Sequence, residues 1–166
     1  MRIIRFFAIA LVVVGLSACG SKFKTYKGPE VTHVVLKKAE RKMYLLHHNK
    51  VLEDYDFDLG FMPAGHKTEE GDGRTPEGTY LIDRRNPNSK FHLSIGISYP
   101  NVVDRAQAYS RGKSPGGDIF IHGQPNGAKG RRQGRDWTAG CIAVSNKEVE
   151  WIYAMVKDGT PITVYP

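Results

Sequence analysis

The sequence is poor in cysteine: its 166 residues include only two, Cys19 and Cys141. A disulfide-stapled scaffold and a cysteine-rich zinc module are therefore excluded. The sequence also lacks internal repeats and low-complexity tracts. Its 40% hydrophobic and 25% charged residues are ordinary globular usage, so neither a repeat array nor a disordered chain is expected. Acidic residues are fewer than basic ones, 17 against 24, and the formal charge of +7 does not by itself select a partner.

Long apolar runs are absent except near the N-terminus. There, Arg2 and Arg5 precede an apolar stretch over residues 6–16, which is the pattern of a secretory signal and is too short for a permanent membrane span. The stretch ends in Leu16-Ser17-Ala18-Cys19-Gly20, which resembles the lipobox of bacterial lipoproteins, where the cysteine carries the lipid. We therefore predict a signal peptide over residues 1–18 and lipidation of Cys19. A plain signal peptide cleaved just before the cysteine is the alternative.

Residues 19–30 are polar and contain glycine and proline, so we expect a tether between the lipid anchor and the following domain. Gly20 and Ser21 follow Cys19 with no aspartate, which is typical of lipoproteins of the outer membrane. The expected location is thus the cell envelope, lipid-anchored in the outer membrane and facing the periplasm. Nucleic acid is not an expected partner, because the chain shows no recognition-helix or aromatic-sheet motif for it. The sequence does not indicate the oligomeric state.

Residues 31–166 form one predicted strand-rich domain. Short apolar or alternating runs predict strands over residues 32–37, 42–47, 51–57, 78–83, 91–98, 119–121 and 161–165. A short helix is expected around residues 103–109. The clearest helix begins at Ser145, which forms a capping-box pattern with Glu148, and it ends before Gly159. Many short strands with one main helix predict a mainly β fold, either a sandwich or a closed barrel.

Two residues in the second half of the chain are candidates for chemistry. Cys141 lies just before the predicted main helix, and an exported free thiol either has a function or is buried and inert. His122 ends an apolar strand, and an imidazole beside a thiol helps to form the nucleophilic thiolate. Gly140 permits a tight turn that can aim backbone amides of residues 139–141 at a developing oxyanion. A buried small hydrophobe and a satisfied strand-end histidine are the alternatives.

These residues resemble the signature of a known family. Ile121-His122-Gly123, followed by Thr138-Ala139-Gly140-Cys141-Ile142, is similar to the signature of L,D-transpeptidase catalytic domains of the YkuD type. The earlier stretch Gly73-Arg74-Thr75-Pro76-Glu77-Gly78-Thr79-Tyr80 resembles the second landmark of that family, a Thr-Pro-x-Gly segment that enters a strand. The resemblance covers nearly all of residues 31–166. It implies an L,D-transpeptidase-like β-sandwich or barrel with the main helix after the catalytic cysteine.

The resemblance also implies a chemistry, cysteine acyl transfer on peptidoglycan stem peptides for cell-wall crosslinking or remodelling. The thiol of Cys141 would attack the carbonyl of the diamino acid at position three and expel D-alanine, and an amine or water would then resolve the thioester. His122 would be the base, and the carbonyl of Gly123 would orient its ring. Thr138 matches the Ser/Thr position of the family, and the amides of Gly140 and Cys141 would form the oxyanion hole. No metal or organic cofactor is implied.

The sequence departs from the common family pattern at two positions. Ala139 stands where many members carry histidine, and Ala143 where many carry arginine or asparagine. The resulting context resembles a subgroup that includes hydrolases. A hydrolase of the same bonds, or of amide links between protein and peptidoglycan, is therefore the alternative activity. A catalytically silent envelope-binding lipoprotein is the alternative from another class.

Three further features of the sequence each allow a functional and a simpler structural interpretation. The loop between base and nucleophile is basic, and we select Arg135 from it as a candidate for binding stem-peptide carboxylates, with a solvated loop as the alternative. Trp137 walls the cleft or, more simply, belongs to the core. His47 and His48 are neighbours on a predicted strand and face opposite sides, so no metal site is predicted there.

Overall fold

The computed structural model describes residues 21–166, and its main feature is one eight-stranded sheet with strand order β3-β2-β1-β8-β4-β5-β6-β7. Two α-helices and a short 3-10 helix complete the described elements. This confirms the expected mainly β fold, and the sheet curves as a half-barrel rather than splitting into two layers. The elements are β1 (His33–Lys37), β2 (Lys42–His47), β3 (Lys50–Asp56), β4 (Gly78–Asn86), β5 (Ser94–Ile97), α1 (Val102–Ser110), β6 (Phe120–His122), the 3-10 helix (Asn126–Ala128), β7 (Ile142–Ala143), α2 (Asn146–Met155) and β8 (Pro161–Tyr165).

The first and last strands of the domain meet inside the sheet. β1 pairs antiparallel with β2 and parallel with β8, where Val34 lies opposite Ile162. β8 also pairs antiparallel with β4. Buried and half-buried residues alternate along β1, as expected for a strand with one face on the core. Because these pairings join distant parts of the sequence, a single core spans the domain from residue 31 to residue 164.

The other half of the sheet positions the candidate site. All four residues of β5 are buried, and β5 pairs antiparallel with β6. β6 then pairs in parallel with the two-residue strand β7, so that His122 lies opposite Ala143. The residue before β7 is Cys141. This parallel pair therefore brings the thiol next to the strand that ends in His122, although a long loop separates them in sequence.

Both helices begin with capping boxes, which satisfy N–H groups that a helix start leaves without partners. In α2, the hydroxyl of Ser145 accepts from the amide of Glu148, and the Glu148 carboxylate accepts from the amide of Ser145. Val149 and Ile152 of this helix are fully buried. The helix was expected from its sequence, as was α1, which occupies residues 102–110.

The predicted strands match the structure except at β4, β5 and β7. The predicted strand over residues 91–98 is shorter, from Ser94 to Ile97, because residues 90–93 form turns and bends, and Lys90 and Phe91 among them line a cleft. β4 extends to Asn86, beyond the predicted end at residue 83. β7 has only two residues, which is too short to produce an alternating pattern in the sequence.

Residues 21–30, expected to form a tether, lie in contact with the domain. The Lys22 ammonium donates to the backbone carbonyls of Pro87 at 2.6 Å and His92 at 3.3 Å. Lys24 forms a 3.0 Å ion pair with Glu150 on α2. The segment is therefore held against the loop that walls the cleft. The predicted signal peptide and the lipidation site Cys19 lie outside the described residues, and no helix among residues 21–166 is long and apolar enough to cross a membrane.

Candidate active site

Cys141 and His122 line the same open cleft of about 400 Å³. One wall is the loop between β4 and β5, and the floor is formed by β5 and β6. The cleft is polar at its rim and aromatic near the thiol. Its lining residues are Asn86, Asn88, Ser89, Lys90, Phe91, Ser94, Asp118, Phe120, His122 and Cys141.

His122 is held in one orientation and one tautomer. Its Nδ1 lies 2.7 Å from the backbone carbonyl oxygen of Gly123, and a carbonyl can only accept, so Nδ1 carries the proton. Nε2 is then left with a lone pair. The ring also packs against Phe91, with centroids 4.5 Å apart, and against Trp137 at 5.7 Å. Burial lowers the pKa of His122 below its usual value, and the bond to Gly123 opposes this shift only in part.

The thiol of Cys141 is partly exposed to the cleft and has two backbone contacts. Sγ accepts from the amide of Phe120 and donates to the carbonyl of Asp118, each at 3.4 Å. Burial raises the pKa of the thiol, and the nearby Asp118 charge raises it further. Because burial lowers the pKa of His122 at the same time, both shifts favour a neutral thiol and a neutral imidazole over an ion pair.

The loop that carries Cys141 is fixed by two threonine hydroxyls. Thr138 Oγ1 donates to the carbonyl of Cys141 at 2.7 Å and accepts from the amide of Gly140 at 3.1 Å. Thr75 Oγ1 donates to the carbonyl of Gly140 at 2.7 Å. Gly140 has φ +129°, and a Cβ there would lie 2.6 Å from the carbonyl oxygen of Arg74. The Thr-Pro stretch noted in the sequence thus packs directly on the loop before the thiol, and only glycine fits between them.

These contacts change one expectation about the oxyanion hole. The amide of Gly140 points to the hydroxyl of Thr138 and is not available to a ligand. The amide of Cys141 forms no hydrogen bond with any of residues 21–166. Ala139 is exposed beside the loop. Ala143 is fully buried in β7, so its methyl group is a core contact and lies away from the cleft surface.

Arg135, expected at the substrate, lies elsewhere. Its side chain is 76% exposed and lines a separate groove with Arg132 and Asp58. Arg132 donates to Asp58 at 2.9 Å, and Asp58 is bridged to Ala143 of β7, so these two arginines line a groove separate from the cleft of Cys141. Trp137 does not line the cleft and instead packs half-buried behind the His122 ring. Phe91, rather than Trp137, forms the aromatic wall of the cleft, and no motif in the sequence indicated it.

Eight of the ten cleft residues were not predicted as site residues, and Asp118 and Phe91 are among them. Neither residue belongs to a motif noted in the sequence, and each lies in a loop that packing brings to the cleft. No group of three or more metal-ligating side chains occurs within residues 21–166, and the two adjacent histidines His47 and His48 lie at the far end of the sheet on β2 and the turn after it.

Comparison with known proteins identifies the family to which this fold and site belong. The family model described as the L,D-transpeptidase catalytic domain, YkuD, matches residues 31–164. The chain belongs to the L,D-transpeptidase catalytic-domain family. The match covers the complete described core, including both the Thr-Pro stretch and the loop that carries the thiol.

Individual relatives and solved structures agree with this assignment. The putative L,D-transpeptidase YafK of Escherichia coli is 30% identical over 111 residues, which is 61% of this chain and 39% of that protein. The helical cell shape determining protein Pgp2 of Campylobacter jejuni is 30% identical, with a TM-score of 0.63 over 84% of this chain and 49% of its own. L,D-transpeptidase 1 of Mycobacterium tuberculosis shares the fold at 15% identity and a TM-score of 0.52, over 82% of this chain and 62% of its own. The chain spans less than half the length of YafK or Pgp2.

Proposed function

We propose that this protein is a cysteine acyltransferase that acts on peptidoglycan stem peptides in the bacterial cell envelope. One observation carries the proposal. A thiol and an imidazole whose Nε2 holds a lone pair line one open cleft, in a chain of the L,D-transpeptidase family. Cys141 is the nucleophile, His122 the base and Gly123 the residue that orients the base through its carbonyl.

The proton must change partners at the start of the reaction. The resting thiol donates to the carbonyl of Asp118, and its proton is not directed at His122. Rotation about the Cβ–Sγ bond of Cys141, as a stem peptide enters, would turn the S–H away from Asp118 and toward Nε2. Catalytic hydrogen bonds often form only in the complex with substrate. Sγ then attacks the carbonyl carbon while Nε2 takes the proton, so charge separation occurs only as the new S–C bond forms.

The tetrahedral oxyanion next needs donors. The amide of Cys141 itself is the candidate, because the amide of Gly140 is already bonded to Thr138. Collapse of the intermediate breaks the C–N bond, and protonated His122 returns its proton to the departing D-alanine amine. The product is a thioester on Cys141. An amine or water then attacks this thioester, again losing its proton to Nε2, and the thiol is released.

A second candidate differs only in this last step. Ala139 is exposed beside the loop, where it offers a methyl group and no hydrogen bond to an incoming peptide amine. Water needs no such contact to reach a thioester. This observation favours hydrolysis, either as an L,D-carboxypeptidase or at amide links between protein and peptidoglycan, as the alternative outcome at the same site.

Mass spectrometry of the protein with a disaccharide tetrapeptide tests the proposal, with and without a second stem peptide as acceptor. A transient adduct mapped to Cys141, together with a crosslinked dimer, is the expected result. An adduct with only tripeptide as product would assign hydrolysis. Absence of an adduct on the wild-type protein, with peptidoglycan still bound, would instead indicate a silent binding module. Cys141→Ala is the matched control and should abolish the adduct without affecting unfolding.

We further propose that the protein is held at a membrane by a lipid on Cys19, as the lipobox-like sequence suggests. Cys19→Ser should then release an active protein into the soluble fraction of cells. Retention in the membrane fraction, or loss of activity in detergent-free extract, would contradict this proposal. The contacts of Lys22 and Lys24 with the domain do not depend on the lipid and should persist in the released form.

A further inference from the structure

We infer that Glu150 and Lys24 are positioning residues for the base His122, and that they act on it through the loop over residues 90–93. Both side chains lie outside the set that lines the cleft. The inference rests on the proposed function, because it concerns how the base of that reaction is held. Helix α2 and the N-terminal segment, defined as residues 21–24, thereby gain a role in the active site.

The backbone of Gly123 is the last link to the base. Its carbonyl accepts from Nδ1 of His122 at 2.7 Å. Its amide donates to two carbonyls of the loop, that of Phe91 at 3.0 Å and that of Leu93 at 3.3 Å. The approach is close, since a Cβ on Gly123 would lie 3.0 Å from the carbonyl oxygen of Phe91. A shift of this loop would therefore also move the carbonyl that fixes the imidazole.

His92 lies between those two loop residues, in a conformation that depends on distant contacts. Its φ of +69° is in the left-handed region, which is uncommon for a residue with a side chain. Its amide donates to Asn126 Oδ1 at 2.9 Å, and its carbonyl accepts from Lys22 at 3.3 Å. Its ring Nε2 lies 2.8 Å from Glu150 Oε1, and a carboxylate can only accept, so this nitrogen carries a proton. Three separate parts of the chain thus hold His92 in place.

The carboxylate of Glu150 joins the loop to the N-terminal segment. While Oε1 binds the ring of His92, Oε2 lies 3.0 Å from Lys24 Nζ. The Glu150 side chain is only 14% exposed, so water screens these contacts less than those of a surface pair. Beside them, the ring of Phe23 packs against Tyr153 of α2, with centroids 6.2 Å apart. The segment, the helix and the loop therefore meet at one carboxylate.

A purely stabilising role is the simpler interpretation, and a second ion pair of the same region distinguishes the two. Lys157, just after α2, lies 3.1 Å from Glu30. This pair also fastens residues 21–30 to the domain. Among the hydrogen bonds and ion pairs of residues 21–166, however, neither side chain of the pair contacts the loop over residues 90–93. Only the contacts of Glu150 continue through the loop to Gly123.

The rate of thioester formation on Cys141, measured at saturating stem peptide, tests this role. Glu150→Gln should lower the rate by about tenfold, because small displacements of a reacting group reduce rates strongly. KM should change little, because Glu150 does not line the cleft. Lys24→Met should cause a smaller loss, and the double variant should be no slower than Glu150→Gln, because Lys24 acts through that carboxylate. Lys157→Met is the matched control and should leave the rate unchanged.

Heteronuclear NMR of the histidine-labelled full chain measures the state of the base without turnover. The His122→Gln variant identifies the signals of that ring. In the wild type, Nδ1 of His122 should carry the proton and Nε2 should carry none. Glu150→Gln should give a mixture of the two tautomers, because the carbonyl of Gly123 is no longer fixed. Lys157→Met should give the wild-type spectrum.

Several outcomes would overturn the inference. They are a wild-type rate for Glu150→Gln, a slower rate with an unchanged His122 spectrum, and an equal change in Lys157→Met, which would assign the effect to docking of residues 21–30 alone. Failure of the proposed function is distinguishable from these. If the wild type forms no thioester while the His122 tautomer still responds to Glu150→Gln, the reaction is refuted and the positioning role stands.

Discussion

The hydrogen bond from Thr75 to Gly140 joins the two sequence landmarks, and Thr75→Val tests what it contributes. Thr75 is fully buried, and its hydroxyl donates to the carbonyl of Gly140 at 2.7 Å. Valine keeps the branched shape and removes only the donor. No other hydrogen bond within residues 21–166 reaches that carbonyl, so the variant leaves a buried acceptor unpaired. Such a group costs about 1–3 kcal/mol.

We therefore expect the free energy of unfolding to fall by about 2 kcal/mol. Gly140 precedes the thiol directly, so a shift of its carbonyl also moves Sγ relative to His122. Small displacements at a reacting group reduce rates strongly, and we expect thioester formation to slow by at least about tenfold. Urea denaturation measures the first effect, and single-turnover mass spectrometry of the Cys141 adduct measures the second.

The matched control is Thr79→Val, which removes a hydroxyl bonded to Thr163 at an exposed position on β4. Its effect on stability should stay within about 0.5 kcal/mol, with an unchanged rate. If Thr75→Val unfolds like the wild type and forms the adduct at the same rate, the reasoning fails. If the variant is less stable but forms the adduct at the normal rate at a temperature where it stays folded, Thr75 contributes to folding alone.

Four further predictions concern the cleft and its surroundings. Burial lowers the pKa of His122, so the acid limb of the kcat/KM profile should lie below the usual imidazole value of about 6.5. Phe91→Leu should move that limb to higher pH, because it removes the ring that packs on His122. A limb that does not move would argue against this ring contact as the cause of the lowered pKa. Since unfolded His122 takes up a proton first, stability should fall as pH drops through about 6.5, measured by urea titration. Lys22→Met should raise KM for a stem peptide several-fold by releasing the cleft wall, whereas the exposed Lys27→Met should not. Arg135→Ala should leave kcat/KM unchanged, because that side chain lies in another groove. A tenfold lower kcat/KM would instead indicate that Arg135 contacts the substrate.

The elements predicted correctly are those with local causes. The start of α2 depends on Ser145 and Glu148, which lie three residues apart and cap the helix without help from the rest of the chain. Strands β1 and β2 form a hairpin of neighbouring segments with a clear alternating pattern. In each case the residues that make the contacts are close in sequence, so their spacing carries the information.

The elements that were missed depend on distant contacts. β7 forms because Ile142 pairs with Ile121 of β6, and a two-residue strand is too short for its sequence to indicate this pairing. Phe91 reaches His122 only because the strand predicted over residues 91–98 begins three residues late. The basic loop was predicted to bind substrate from its charge, and in the structure Arg132 is bound to Asp58 while Arg135 lines a groove separate from the cleft of Cys141.

The sequence by itself determined the family and the mainly β character of the domain, and it predicted the pair Cys141 and His122, because motifs and periodicity can be read from the chain alone. Only the tertiary structure decided which groups surround that pair. It directs the amide of Gly140 to Thr138 and aims the resting thiol at the carbonyl of Asp118. These are contacts between residues far apart in the chain, and their geometry is fixed by how the strands pack rather than by the residue types themselves.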